Sequence, residues 1–176
     1  MLPLTVPSLE FFDPQTSEFK TFPAQQLQLE HSLISVSKWE SIWKKSFLSS
    51  SDMTVEQLLS YIKCMTINKI ADESVYTRLT EQNINDVRMY IENSMTATTL
   101  PKDNKRSRMR IITSEQIYGW MVMFGIPFDP CEKWHLNRLM MLIQVCGIQQ
   151  NPQKKRSMKD RYAAQNAHYA KLHGKH

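Results

Sequence analysis

The chain contains few glycines and cysteines, four and three among 176 residues. It has no glycine-rich phosphate loop, no Gly-x-Gly-x-x-Gly and no Gly-x-Ser-x-Gly nucleophile motif. Cys64, Cys131 and Cys146 are odd in number, far apart and without a Cys-x-x-Cys pair, which favours reduced thiols over a disulfide framework. These absences argue against an enzyme that binds a nucleotide, and we expect no cofactor.

Long apolar runs are also absent from the sequence. No stretch approaches the roughly 18 apolar residues of a membrane-spanning helix, and the first residues lack the basic start and apolar run of a secretion signal. The sequence therefore predicts neither membrane contact nor secretion. Its length of 176 residues fits one domain that buries a core without disulfides.

The net charge of +5 is unevenly distributed. Residues 101–110 carry +4, residues 151–176 carry +6, and the remaining residues sum to −5. Such basic runs bind nucleic acid, dock on an acidic protein or simply keep a chain soluble, and charge alone leaves these alternatives open. The candidate partner-binding residues are basic side chains and two tyrosines of these segments: Lys102, Lys105, Arg106, Arg108, Arg110, Lys154, Lys155, Arg156, Arg161, Tyr162 and Tyr169.

The first 30 residues have the pattern of strands. Residues 9–12 and 19–22 flank Asp13-Pro14-Gln15-Thr16, a turn sequence, which predicts a β-hairpin. Alternation at residues 27–30 predicts a third strand. The boundary between this strand and the helix that follows is uncertain by about four residues. The apolar residues of that helix lie on one stripe, Leu29, Leu33, Val36, Trp39 and Trp43. Mostly off the stripe are Glu30, Lys38, Glu40 and Lys44.

The later residues have helical patterns. Asp52 or Thr54 is a predicted N-cap, and Thr80 is a second one. Their helices carry apolar residues on one side, namely Val55, Leu58, Leu59, Ile62 and Met65 in the first and Ile84, Val87 and Ile91 in the second. A third helix is predicted from Thr113 or Ser114 to Gly125, and a fourth, the most buried, from about Asp129 to Gly147.

Taken together, these elements predict an α+β fold, a small N-terminal antiparallel sheet followed by a mainly helical domain. Residues 1–150 form the single domain, and residues 151–176 form a basic C-terminal tail after a proline-containing linker. Residues 95–100 and 108–113 are rich in β-compatible types and predict an exposed β-arm with a basic tip, to which a disordered loop is the alternative.

Three groups of residues have types found in chemical sites. Cys131 and His135 lie one helical turn apart with Glu132 between them, but two ligands are too few for zinc, and we expect a packed cysteine and a hydrogen-bonded histidine. His31 near two glutamates is interpreted as a structural residue. Arg138 is expected to pair internally, for example with Glu115, and the four tryptophans to lie mostly in the core.

Four sequence blocks occur in a fixed order: Ser37-Lys-Trp-Glu-Ser41, Thr96-Ala-Thr98, Ile112-Thr-Ser-Glu-Gln-Ile-Tyr-Gly-Trp-Met121 and Trp134-His-Leu-Asn-Arg-Leu139. As a set they resemble a family of small tailed-bacteriophage proteins, over about residues 27–147. The resemblance implies a role in tail assembly or another step of virion morphogenesis, and it carries over no catalytic residue.

These observations lead us to expect a non-catalytic, chaperone-like tail assembly factor that binds other phage tail or virion proteins in the host cytoplasm. One alternative is a structural component of the virion, such as a head-tail connector or a tail-completion protein. A nucleic-acid-binding accessory protein, which contacts nucleic acid weakly through the basic segments, is the third hypothesis.

Overall fold

A computed structural model describes residues 1–15, 17–50, 53–99 and 111–150. Within these ranges the strands β1 (Leu2–Val6), β2 (Leu9–Asp13), β3 (Glu18–Phe22) and β4 (Gln25–Leu29) precede the helices. The helices are α1 (Leu33–Trp43), α2 (Val55–Met65), α3 (Glu81–Glu92), α4 (Ser114–Met123), α5 (Phe128–Cys131) and α6 (Leu136–Gln150), with a 3-10 helix at Glu73–Arg78. The predicted α+β class, with antiparallel strands first and helices after them, is confirmed.

The four strands form one interrupted antiparallel ribbon. β1 pairs with β4 and β2 pairs with β3, and in both pairs the numbers of opposed residues add up to 31, as for Val6 opposite Gln25 and Leu9 opposite Phe22. Pairing stops at residues 7–8 and 23–24, where Pro7 and Pro23 lack the amide hydrogen that a ladder needs. We call the β1–β4 pair the proximal sheet and the β2–β3 pair, residues 9–22, the distal hairpin.

Strands β2 and β3 confirm the predicted hairpin strands, and Pro14 and Gln15 lie in a turn between them, while Thr16 lies outside the described residues. β1 was not predicted. Pro3 lies inside β1, and a proline argues against a strand in a local sequence pattern. It is tolerated because β1 lies at an edge of a two-stranded sheet, opposite β4 only.

The proximal sheet contributes to the core. Leu4, Val6, Leu27 and Leu29 are all buried, and this sheet contacts α2 and α3. Residues 66–68 cover the outer edge of β4: the Ile67 amide donates to the Gln28 carbonyl at 2.9 Å. Leu29 therefore ends a strand, and the competing helical stripe begins only at Leu33, after the Ser32 cap.

Helix starts follow the predicted caps. Thr54 and Thr80 each form a capping box with the residue three positions later, Gln57 and Asn83. Asp52, the alternative first cap, lies outside the described residues. Val55 was wrongly placed on the apolar side of α2, since 70 % of it is exposed, and the buried position in that turn belongs to the capping residue Gln57.

The fourth predicted helix is broken into two. α5 ends at Cys131 and α6 begins at Leu136, because His135 caps α6 by accepting a hydrogen bond from the Asn137 amide at 3.3 Å. Gly147 does not end α6, which continues to Gln150; a glycine inside a helix costs only about 1 kcal/mol. α6 is also not the most buried helix, since it buries only Leu136, Leu139 and Ile143.

Two compact units make up the chain, Met1–Ile143 and Gln144–His176. The described part of the second unit is residues 144–150, the last residues of α6.

The predicted β-arm is only partly described. Its flanks, residues 95–99 and 111–113, contain no strand, and residues 100–110 lie outside the described ranges. Among the described helices, none has the length and hydropathy to cross a bilayer.

The tryptophan prediction was correct only for Trp39, which is fully buried and donates its indole hydrogen to the Gln57 carbonyl at 2.9 Å. Trp43, Trp120 and Trp134 are half-buried. Trp134 lies under Arg138, whose guanidinium carbon is 4.3 Å from the ring centroid. A long cationic side chain thus takes the place of a core neighbour.

Candidate functional site

The distal hairpin exposes large apolar side chains. The exposed fractions are 46 % for Leu9, 42 % for Phe11, 49 % for Phe12 and 73 % for Phe19. A two-stranded hairpin is at best marginally stable in water by itself, and burying one such side chain is worth about 1.5–3 kcal/mol. Burial of these side chains against another surface would therefore stabilise the hairpin.

Apolar residues occupy both faces of the distal hairpin. Phe12 lies opposite Phe19 with ring centroids 5.2 Å apart, while Phe11 and Phe22 stack on the other face at 6.2 Å. The consecutive residues Phe11 and Phe12 produce this arrangement, because neighbours in a strand point to opposite faces. A strand that packs on a core from one side instead alternates apolar and polar residues.

Arg78 holds the base of the distal hairpin. Its guanidinium carbon lies 5.2 Å from the centroid of the Phe22 ring, and its Nη1 donates to the carbonyls of Pro7 at 3.2 Å and Pro23 at 3.4 Å. One side chain thus bonds to both places where the ribbon is interrupted. Two other nitrogens of Arg78, Nε and Nη2, are buried without a hydrogen-bond partner among the described residues.

A second cluster, of histidines and tyrosines, lies in the interior. The rings of His31 and His135 are 5.0 Å apart, and His31 Nδ1 is hydrogen-bonded to the Tyr61 hydroxyl. Burial, and then the neighbouring His135, lower the pKa of His31 to about 3. Burial raises the pKa of Tyr61 well above its ordinary value, so both groups are neutral at pH 7.

His135 is bonded on both sides of its ring. Nε2 donates to the Tyr90 carbonyl at 2.9 Å, and Nδ1 accepts from the Asn137 amide at 3.3 Å. These bonds require the neutral Nε2–H tautomer, and burial lowers the pKa of His135. Both nitrogens are thus engaged in the fold, which agrees with the predicted hydrogen-bonded histidine.

Cys131 and His135 were expected to be a packed cysteine and a hydrogen-bonded histidine, not metal ligands. Cys131 is buried, and no group of three or more His, Cys, Asp or Glu side chains suited to a metal occurs among the described residues. Arg138 lies over Trp134, and no ion pair with Glu115 is found in the described part of the chain. The suggested Arg138–Glu115 pairing was therefore wrong.

Glu40 was placed off the apolar stripe, yet it is buried. Its Oε2 accepts hydrogen bonds from the Ser114 amide at 2.7 Å and the Ser114 hydroxyl at 2.6 Å, and its Oε1 accepts from the Phe47 amide at 2.9 Å. Thr113 occupies the N-cap position of α4 but makes no side-chain cap bond. A carboxylate from α1 thus caps α4, where negative charge is favoured.

A cleft of about 430 Å³ lies beside α1 and the end of α2, and its lining includes Lys38, Cys64 and Lys133. Burial raises the pKa of the Cys64 thiol, so at neutral pH this side chain is a thiol and not the nucleophilic thiolate.

The candidate partner-binding residues lie outside the described residues, in segments 100–110 and 151–176: Lys102, Lys105, Arg106, Arg108, Arg110, Lys154, Lys155, Arg156, Arg161, Tyr162 and Tyr169. The exposed residues of the distal hairpin were not predicted as a contact surface from the sequence. The signal that was available is the Phe11-Phe12 pair, which puts one aromatic ring on each face of a strand.

Comparison with protein-family models, curated proteins and solved structures finds no match to this chain.

Proposed function

We propose that this chain is a non-catalytic phage tail assembly factor that acts by binding proteins. The observation that carries the proposal is the distal hairpin, which exposes apolar side chains on both faces. Contiguous exposed apolar residues mark contact surfaces in soluble proteins. The four sequence blocks that resemble small tailed-bacteriophage proteins support the phage setting.

The interior polar groups support a binding role over a catalytic one. Glu40 caps α4, His135 caps α6, and His31 is bonded to Tyr61, so each of these groups has a structural partner. The basic segments at residues 101–110 and 151–176 are the surfaces that we propose for an acidic tail or virion protein, with weak nucleic-acid contact as a secondary property.

Mass spectrometry of purified virions tests the assembly role. An assembly factor acts in the host cytoplasm and is absent from the finished particle, whereas a connector or tail-completion protein is present at a fixed copy number. Presence at a fixed copy number would replace the assembly role with the structural one.

Co-purification from infected cells tests the partner surface. Replacing Lys154, Lys155 and Arg156 by Gln should release the phage protein. The control, Lys45→Gln with Lys69→Gln, removes exposed charges from the body and should not release it.

DNA binding measured at increasing salt concentrations distinguishes the nucleic-acid-binding hypothesis from the two protein-binding ones. Tight binding whose affinity falls steeply with salt would favour the nucleic-acid function.

A further inference from the structure

We propose that two copies of this chain pair through the outer edges of their β3 strands, so that two distal hairpins form one four-stranded antiparallel sheet. This inference rests on the proposed function, in which the distal hairpin is a protein-contact surface, and it names the first occupant of that surface.

The backbone of the distal hairpin offers the site for such pairing. β2 and β3 form a two-stranded sheet, so each has one edge without a neighbouring strand in the described part of the chain. Unpaired strand edges recruit another strand. In contrast, residues 66–68 and Asn83 bond to the edges of the proximal sheet, the latter through the Thr5 carbonyl at 3.2 Å.

The side chains of β3 are self-complementary in one register. Placing Phe19 opposite its own copy sets Glu18 of each chain opposite Lys20 of the other, which gives one aromatic pair and two opposite-charge pairs. Phe19 is the most exposed of the four apolar residues, at 73 %. Lys20 forms an ion pair with Asp13 of its own hairpin at 2.6 Å. Glu18 has no ion-pair partner among the described residues and lies opposite Asp13, so the Lys20 of a second copy places a cation beside the unpaired carboxylate.

The other pairings of hairpin edges are less favourable. The charged residues of β2 are both carboxylates, Glu10 and Asp13, so a β2–β2 contact would bring no cation to either strand. Pairing β3 with the β2 of another copy is a head-to-tail contact, which leaves an edge free at each end and extends into a fibre. The β3–β3 contact is two-fold symmetric and closes on itself.

The expected dimer is weak and concentration-dependent. A five-residue strand edge covers much less than the ~800 Å² per partner of a stable interface. Sedimentation velocity of the full chain across the micromolar range should therefore show a monomer–dimer equilibrium. Phe19→Thr, which keeps a strand-forming residue at an exposed position, should weaken it by about tenfold or more.

Charge exchange tests the register itself. Glu18→Lys and Lys20→Glu each turn two attractive pairs into two repulsive ones, and each should raise the dissociation constant about tenfold. An equimolar mixture of the two variants restores both opposite-charge pairs and should associate at least as well as the wild-type chain. Glu18→Lys removes the like-charge pair with Asp13 within one hairpin, so hairpin damage does not explain its loss of association. Lys20→Glu also breaks the Lys20–Asp13 ion pair of its own hairpin, and the recovery of association in the mixture is the result that separates register from this loss.

A wild-type chain that stays monomeric, or a dimer that neither charge variant weakens, overturns the β3–β3 pairing. So does a mixture of variants that associates no better than each variant alone. These results leave the proposed function standing if a phage protein still co-purifies through the basic segments. A dimer with the expected charge response and no phage partner supports the pairing and counts against the assembly role.

Discussion

Glu40 connects parts of the chain that are distant in sequence. It receives three hydrogen bonds, from Phe47 and from Ser114, which lies 74 positions later. Because a carboxylate accepts bonds through both oxygens, no neutral side chain of similar size satisfies all three donors. Glu40 therefore adds hydrogen bonds to the packing between α1 and α4.

We expect Glu40→Gln to lower the free energy of unfolding by about 2 kcal/mol, since the amide turns a donor toward buried donors. Urea melts measure the change. Glu92→Gln is the matched control, because Glu92 is an exposed last residue of α3 and its loss should have little effect. Equal midpoints for the two variants would show that the Glu40 bonds contribute no net stability.

His31 should make stability depend on pH. The unfolded chain binds a proton on His31 below its ordinary pKa of 6.5, whereas the folded chain resists protonation until about pH 3. The free energy of unfolding therefore falls as the pH drops from 6.5 toward 3, by at most about 1.4 kcal/mol per pH unit from this group, and is unaffected by it at higher pH.

Urea melts at about pH 7.5 and about pH 5.5 measure this loss of stability, because His31 of the unfolded chain becomes protonated between these two pH values. The wild-type chain should lose about 1.4 kcal/mol more than His31→Gln over this interval, because glutamine keeps a polar partner for Tyr61 and does not titrate. Carboxylates contribute equally to both proteins. Identical losses would mean that His31 titrates alike in the folded and unfolded chains.

At the scale of elements, Arg78 couples the distal hairpin to the body through Phe22 and the Pro7 and Pro23 carbonyls. Arg78→Ala should therefore speed amide hydrogen exchange in β2 and β3 while leaving α1 and α2 unchanged. Lys63→Ala is the matched control, because Lys63 also lies near an aromatic ring, 6.0 Å from the Tyr76 centroid, but away from the hairpin. Unchanged exchange in β2 and β3 would show that Arg78 does not restrain them.

Elements defined by nearby residues could be predicted from the sequence. Thr54, Thr80 and Gly125 act through bonds or backbone angles within a few residues; Gly125, with φ of +66°, has a conformation that suits glycine. β1 could not be predicted in this way, because its partners in β4 lie 19 to 27 positions away in the sequence, from Val6–Gln25 to Leu2–Leu29. The cap of α4 was missed for the same reason.

The candidate surface was predicted only in part. The hairpin strands were found, but their pattern was interpreted as ordinary sheet, and the residues chosen for partner binding were the basic ones. Exposure depends on which other elements cover a strand, and a local pattern does not contain that information. The Phe11-Phe12 pair indicates aromatic rings on both faces of a strand, but the structure was needed to show that both faces are exposed.

For the whole molecule, the proximal sheet belongs to the core and the distal hairpin does not. Val6 and Gln25 are directly opposed, so a two-residue Asn-Gly turn can join them in place of residues 7–24. We expect this shortened chain to fold with a nearly unchanged melting temperature, which circular dichroism measures. Leu4→Ala in the full chain, which removes a buried side chain, should instead cost about 2–5 kcal/mol.

A shortened chain that fails to fold would assign the distal hairpin to the folding core. If the shortened chain folds but no longer self-associates, the proximal sheet is needed for stability and the distal hairpin for contact with the second copy.

The proximal sheet and the distal hairpin share one register, so insertions can change the distance between the hairpin tip and the body. Matched insertions of two residues in β2 and two in β3 keep every existing pair opposed and return each side chain to its original face, because strands repeat every two residues. Each such insertion carries the tip about 7 Å further from the body. Length can therefore vary by insertion and deletion without any compensating change in the helices, and the ribbon has the properties of a spacer of selectable span.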